Sequence, residues 1–403
     1  MPLKQQNGKL INRRLALYGL IATAILLSIP TIAVAASYTW SVSSGNWSDA
    51  VNWGGTEPTS SDEAYIQNGG TVTITQTGET CSYLYLGASG TGNSGTIEMT
   101  GGSLYISNGS YIGYSGTGTF TQNGGTNSAS NLYLGYNSGS SGMYNLSETS
   151  KLSKINEYIG YSGTGTFTQT GGSNVIATSL ILGEKSGGNG TYDLNGTGQI
   201  STLGVCIGDS GTGTFNHSAG TNSNNVLKLG GMLSGTGTYN LSGTGQLITK
   251  FYVYIGEAGT GTFTQSGGSS QIPELSLGRY SNSNGTYNME SGNMSVGAEY
   301  IGYAGTGTFI QTGGTISNVS GLYIGNSSGS SGKYSLSGAS LFSTNDKEYI
   351  GYSGMGTFTQ TGGTNSIFYH LYIGFNTGST GTYNLSDTGQ LSSDTEYIGC
   401  GGT

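Results

Sequence analysis

Charge is scarce in this chain: only 8% of its 403 residues are Asp, Glu, Lys or Arg. There are four prolines, three cysteines, three tryptophans and two histidines. Each shortage removes a class of protein. A disordered linker is rich in charge and poor in aromatics, and this chain carries 29 tyrosines. Cys81, Cys206 and Cys400 lie far apart and are odd in number, so no disulfide framework or metal-ligand spacing is legible. Neither His217 nor His370 has an acidic residue at a matching repeat position, so no Ser-His-Asp set can be assembled from the sequence. The formal charge of −8 argues against nucleic acid as a partner. No long apolar run follows residue 36. On these grounds no catalytic residue, cofactor or metal is assigned, and the chain reads as a non-enzyme.

What is abundant is glycine, with 76 copies, accompanied by serine, threonine and asparagine. The N-terminus is distinct from the rest. Lys4, Lys9, Arg13 and Arg14 precede an apolar run over residues 15–29, and Ala33-Val34-Ala35 offers small residues for cleavage. This is the pattern of a secretory signal peptide spanning residues 1–35. Its removal deletes four positive charges and leaves a more acidic mature chain.

Beyond residue 84 the sequence repeats. Tyr-Ile-Gly recurs at Tyr111, Tyr158, Tyr254, Tyr300, Tyr349 and Tyr397, at intervals of 46 to 49 residues, with Cys206-Ile207-Gly208 filling the one gap. Related blocks place Tyr85, Tyr133, Ile181, Lys228, Ser276, Tyr323 and Tyr372 halfway between, so the unit is 22 to 26 residues in two alternating versions. In one version a Phe follows nine residues later (Phe120, Phe167, Phe215), and in the other a Tyr follows after eleven (Tyr144, Tyr192, Tyr239). Apolar and polar residues alternate in these short runs, and glycines bound them, as in half-buried strands. Alternation puts Leu132 and Leu134 on one face and Tyr133 on the other. A unit with three such strands cannot bury its apolar face alone, whereas stacked units can.

The predicted fold is therefore all-β: a parallel β-helix, or β-solenoid, of about 24-residue coils in alternating pairs. Residues 85–403 form the repeats, and residues 36–84 form an N-terminal β cap carrying Trp40, Trp47 and Trp53. A propeller-like array with a doubled blade is the alternative. One series fits poorly. Glu157, Glu299, Glu348 and Glu396 stand where the sister units have Leu, and alternation points them inward. A corner or bulge that lets them reach solvent is expected there.

The cap segment, with Pro58 and Asp62, resembles the opening of bacterial secreted proteins that carry autotransporter-associated β-strand repeats. Units such as Gly163 to Gly172, Gly-Thr-Gly-Thr-Phe-Thr-Gln-Thr-Gly-Gly, are similar to repeats of such surface proteins. The resemblance covers nearly all of residues 37–403. It implies a parallel β-helix exported to the cell surface or beyond, acting as a structural or adhesin-like module. Passengers of that kind end in an outer-membrane barrel or a sorting tail, and neither is legible here. The chain stops a few residues into a new unit, which reads as a fragment of a longer protein. Membrane contact then falls to the signal segment or to a missing C-terminal region. A bare last coil invites end-to-end self-association.

The candidate contact surface is the outward tyrosine row: Tyr111, Tyr133, Tyr158, Tyr300, Tyr323, Tyr349 and Tyr372. Exposed aromatic patches mark contact surfaces, and sugar rings can lie on them, so polysaccharide or another cell-surface component is the expected partner. The competing role for the row is cross-strand stabilisation of the ladder. A carbohydrate-binding β-helix is the second reading of function. A polysaccharide lyase or hydrolase is the third.

Overall fold

The structure, a computed structural model, describes residues 35–89 and 92–403. The signal-peptide reading of residues 1–35 therefore lies, but for Ala35, outside the described residues. From Ala36 to Thr403 the chain forms one compact unit. It is a parallel β-solenoid of about 15 coils of ~24 residues. The 34 described strands join a single sheet system. Strand pairs with the equivalent strand one coil away, in parallel, as when Thr117–Gln122, Ser141–Leu146 and Thr164–Gln169 lie side by side. Propeller blades are built from antiparallel neighbours, so this pairing does not fit the alternative architecture. The described residues contain no α-helix, and one 3₁₀ turn, Ala50–Trp53, interrupts the strands.

Each coil has three faces. In one coil the first face is the run Leu132-Tyr133-Leu134, the second is Ser141–Leu146, and the third opens the strand Lys151–Ile159. On the second face the inward column alternates Phe and Tyr from Phe120 to Tyr383. Neighbouring rings are parallel, with centroids 4.6 to 5.0 Å apart. That separation is the strand spacing itself, so every ring between Phe120 and Tyr383 is packed on both faces by the register alone.

The two alternating versions of the unit have a chemical reason. A buried Tyr hydroxyl needs a hydrogen-bond partner. The Phe-bearing coil supplies it two residues on: the Tyr144 hydroxyl donates to Gln122 at 2.6 Å and Tyr192 to Gln169 at 2.6 Å. The same bond joins Tyr287 to Gln265 and Tyr334 to Gln311. The Tyr-bearing coil places Leu146, Leu194 or Leu241 at the Gln position and closes the core with hydrocarbon. His217 stands in for Gln in one coil. Its Nε2 donates to the Gly220 carbonyl, which leaves Nδ1 to accept from Tyr239 at 2.8 Å. The two ring nitrogens thus reproduce the amide's donor and acceptor. Burial holds the imidazole pKa down at about 4.

The Trp-rich segment belongs to the same ladder, because Ser37–Thr39 pairs in parallel with Glu63–Ile66. Trp40 and Trp47 meet Trp53 edge-on at 5.0 and 4.8 Å, and all three are buried. No indole face is left open for a sugar ring.

Candidate functional site on the tyrosine face

The outward column of the first face carries the tyrosines. Tyr65, Tyr85, Tyr111, Tyr133 and Tyr158 stack in sequence at 4.7 to 5.1 Å with planes within 10° of parallel. A second block runs through Tyr300, Tyr323, Tyr349, Tyr372 and Tyr397 at 4.9 to 5.0 Å. Three residues after each of several of these, at the corner, stands another ring. Tyr114, Tyr136 and Tyr161 stack among themselves and meet the first column nearly perpendicularly. In the second block Tyr352 and Phe375 stack on each other, and Tyr303, Tyr352 and Phe375 each meet the first column edge-on.

The row points outward, as alternation requires, but its rings are half-buried rather than freely exposed. Burial pushes the Tyr111 and Tyr349 hydroxyls up to about 12. The ring planes lie across the solenoid axis, so each face is covered by the next ring and only edges meet solvent. A sugar ring laid along the stripe would meet ring edges rather than ring faces. Along this stripe the stacking is interrupted where the ladder breaks and stops at its last ring, Tyr397.

It breaks twice. At Ser276 the missing ring is replaced by Arg279, whose guanidinium lies 4.2 Å from the Tyr254 ring centre and 4.8 Å from that of Tyr303. Between Tyr158 and Tyr254 three consecutive coils carry Ile181, Cys206 and Lys228 instead. A cavity of about 230 Å³ opens there, and Asp209 and Glu257 reach it from the corner column. The Lys228 ammonium pairs with Glu257 at 2.7 Å. Burial raises the Cys206 thiol, so it is no thiolate nucleophile. Among the described residues no group of three or more potential metal ligands is assembled, and no helix is long and apolar enough to cross a membrane.

No known family, curated protein or solved structure matches this chain.

The glutamate series departs most from expectation. Glu157, Glu299 and Glu348 do not reach solvent at a corner; all three are fully buried. Register leaves them no choice. Glu157 pairs with Leu132 and Leu180, and Glu299 and Glu348 flank Leu322 in the same inward column. Glu396, in the last coil, is exposed. Partners come from the following coil: Asn174 donates to Glu157 at 3.0 Å, and Asn365 donates to Glu348 at 3.0 Å. At the equivalent place after Glu299 stands Ile316, and among the described residues neither carboxylate oxygen of Glu299 has a partner. Burial raises the Glu299 and Glu348 carboxyls to about 8.

Sequence reading passed over Lys154. It sits in an inward column between Ala129 and Ile176, with its side chain fully buried. The available signal was alternation itself, since Lys154 is two residues from the inward Leu152.

Proposed function

We propose that the chain is a secreted or cell-surface structural rod with an adhesive role. The observation that supports this most is the uninterrupted inward Phe/Tyr stack, which runs through twelve coils without a break in register. A stack that continuous makes a stiff, extended body whose length scales with coil number. The resemblance to exported repeat passengers points the same way. The test is protease shaving of intact cells that express the chain, followed by an attachment assay. Release of its peptides from whole cells, with loss of attachment on gene deletion, is the expected result. Retention of the chain inside unbroken cells would overturn the reading.

The ladder break favours carbohydrate binding as a second reading. Its cavity is smaller than the ~300–1,000 Å³ typical of drug-sized ligands, so its occupant is a single ring rather than a long stretch of polymer. Asp209 and Glu257 accept from sugar hydroxyls, Lys228 donates, and Ile181 and Met232 line the apolar side. On this reading Asp209→Asn with Lys228→Ala abolishes retention on insoluble polysaccharide. Replacing Tyr133 within the intact stack leaves retention unchanged.

A further inference from the structure

Three polar side chains meet in the core where two adjacent coils stack. Lys154 lies in the strand Lys151–Ile159, and Asn174 in the neighbouring strand Ser173–Leu182. The Lys154 Nζ is 2.9 Å from the Asn174 Oδ1 and 3.3 Å from the Glu157 Oε2. The Asn174 Nδ2 donates to that same Glu157 oxygen at 3.0 Å and to the Tyr192 hydroxyl at 3.1 Å. The Glu157 Oε1 is buried and has no partner. The Phe167 ring, 5.7 Å from the ammonium nitrogen, helps to close the site.

We propose that this cluster is a self-modification site in which Lys154 and Asn174 join through an amide bond, with Glu157 carrying the protons. A carbonyl bond is about 1.2 Å long, so the Asn174 Cγ is no more than about 4 Å from the amine nitrogen. Held at that range, amine and carbonyl react as neighbours within one structure rather than as partners that must find each other. The amine is the nucleophile of the kind that burial activates. Desolvation lowers the Lys154 pKa to about 8.

The atoms balance without a co-reactant. The ammonium gives one proton to the Glu157 Oε2, and the freed lone pair on Nζ attacks the Asn174 Cγ. The Nζ–Cγ bond forms as the carbonyl electrons move to oxygen. The Glu157 carboxyl then passes its proton to Nδ2, to which its Oε2 is already hydrogen-bonded. Return of the carbonyl electrons breaks the Cγ–Nδ2 bond, ammonia leaves, and the carboxylate takes the surplus proton from Nζ. The product is a secondary amide that clips one coil to the next. It also removes the buried positive charge, which is costly to keep in a core.

The sister coils show why this occurs once. Asn127, Asn222 and Asn365 hold the same column position as Asn174, but none faces a lysine. The position of Lys154 is Ile106, Ala129, Ile176 or Thr202 in nearby coils. Glu348 with Asn365 repeats the acid and the amide without the amine.

Peptide mass mapping of the purified full chain tests this. Trypsin is expected not to cut after Lys154, leaving residues 152–185 as one piece lighter by one ammonia, ~17 Da. A second cut at Tyr158 or Phe167 then yields a branched peptide that contains both Lys154 and Asn174. Glu157→Gln, which keeps the shape, is expected to give unlinked peptides of full mass with an unchanged β-sheet circular dichroism spectrum. Full-mass linear peptides from the parent chain after long incubation near neutral pH would overturn the proposal, as would ammonia loss confined to a cyclised Asn174 with Lys154 still cleavable. A link that persists in Glu157→Gln would overturn the role given to Glu157. The parent chain's map decides the bond itself even where the variant does not fold.

Discussion

At the residue scale the core shows that burial sets the energetics of a repeated glutamate: the carboxyls of Glu299 and Glu348 are both raised to about 8, although only Glu348 has an amide partner. Glu157 and Glu348 each receive an amide from the next coil, whereas Glu299 meets Ile316. A buried carboxylate without a partner is held neutral by desolvation, and this links stability to pH. The Glu299 carboxyl titrates at about 8 in the fold, against an ordinary value of 4.5. Below the ordinary value it is neutral in both folded and unfolded chains, and its full contribution to stability is present. As pH rises from 4.5 the unfolded chain ionises while the fold keeps its proton, so stability falls; the loss is complete once pH passes about 8. Glu299→Leu, which copies its column neighbours, is therefore expected to raise the melting temperature more at alkaline than at acidic pH. Thermal melts of both chains across that window check it, and a difference that stays constant with pH would refute the assignment. Ile316→Asn restores the amide and should recover part of the same gain.

At the scale of the element, the coils from Gly87 to Gly374 leave the first face through a glycine whose conformation and surroundings both exclude a side chain. Gly135 has φ +63°, and a Cβ there would lie 2.2 Å from the Thr164 carbonyl oxygen. Gly139, in the loop that follows, has φ +81° but open space around it. Asn282 occupies the equivalent loop position three repeat pairs further on, with φ 68°. Gly135→Ala should then cost well over ~1 kcal/mol in a denaturant melt, while Gly139→Asn should cost only a few tenths of a kcal/mol. Equal losses at the two positions would sink this account of the corner. The corners were legible in the sequence because glycine recurred at one spacing. So were the parallel coils, the inward Phe and Tyr, and the outward direction of Tyr133, since all follow from a period of two. The inward glutamates were legible by the same rule, and the expectation of a solvent-seeking corner overrode it. That expectation weighed the cost of burying a carboxylate but had no view of Asn174 or Asn365, which lie a coil away. Lys154 was hidden for a related reason: one lysine in a column of Ile, Ala and Thr leaves no periodic trace. The cavity at Ile181, Cys206 and Lys228 was readable as a gap in the tyrosine series, but its closure by Asp209 and Glu257 depends on how the corner folds.

For the molecule as a whole, the described strands pair only between successive coils, so stability is the sum of coil and interface terms along one dimension. The inward stack is continuous, and the outward one is not. Each stacked aromatic pair adds ~0.5–1.5 kcal/mol beyond the area it buries, and the three coils that carry Ile181, Cys206 and Lys228 lack these pairs. The solenoid therefore has a soft segment in its interior, next to the coils that Lys154 and Asn174 join. Local opening is governed by such differences rather than by global unfolding. Amides of the strands Gln199–Ile207 and Thr221–Leu229 are expected to exchange hydrogen faster than those of Thr126–Leu134, although all lie well inside the coil array. Replacing Cys206 and Lys228 together with Tyr extends the outer ladder from Tyr254 by two coils and should slow exchange in those two strands while leaving Thr126–Leu134 unchanged. Exchange that is uniform along the parent solenoid, or that the double replacement does not alter, would show that the inward stack alone sets coil stability. The tyrosine ladder would then be left without a structural role, and surface contact would be the remaining explanation for its regularity.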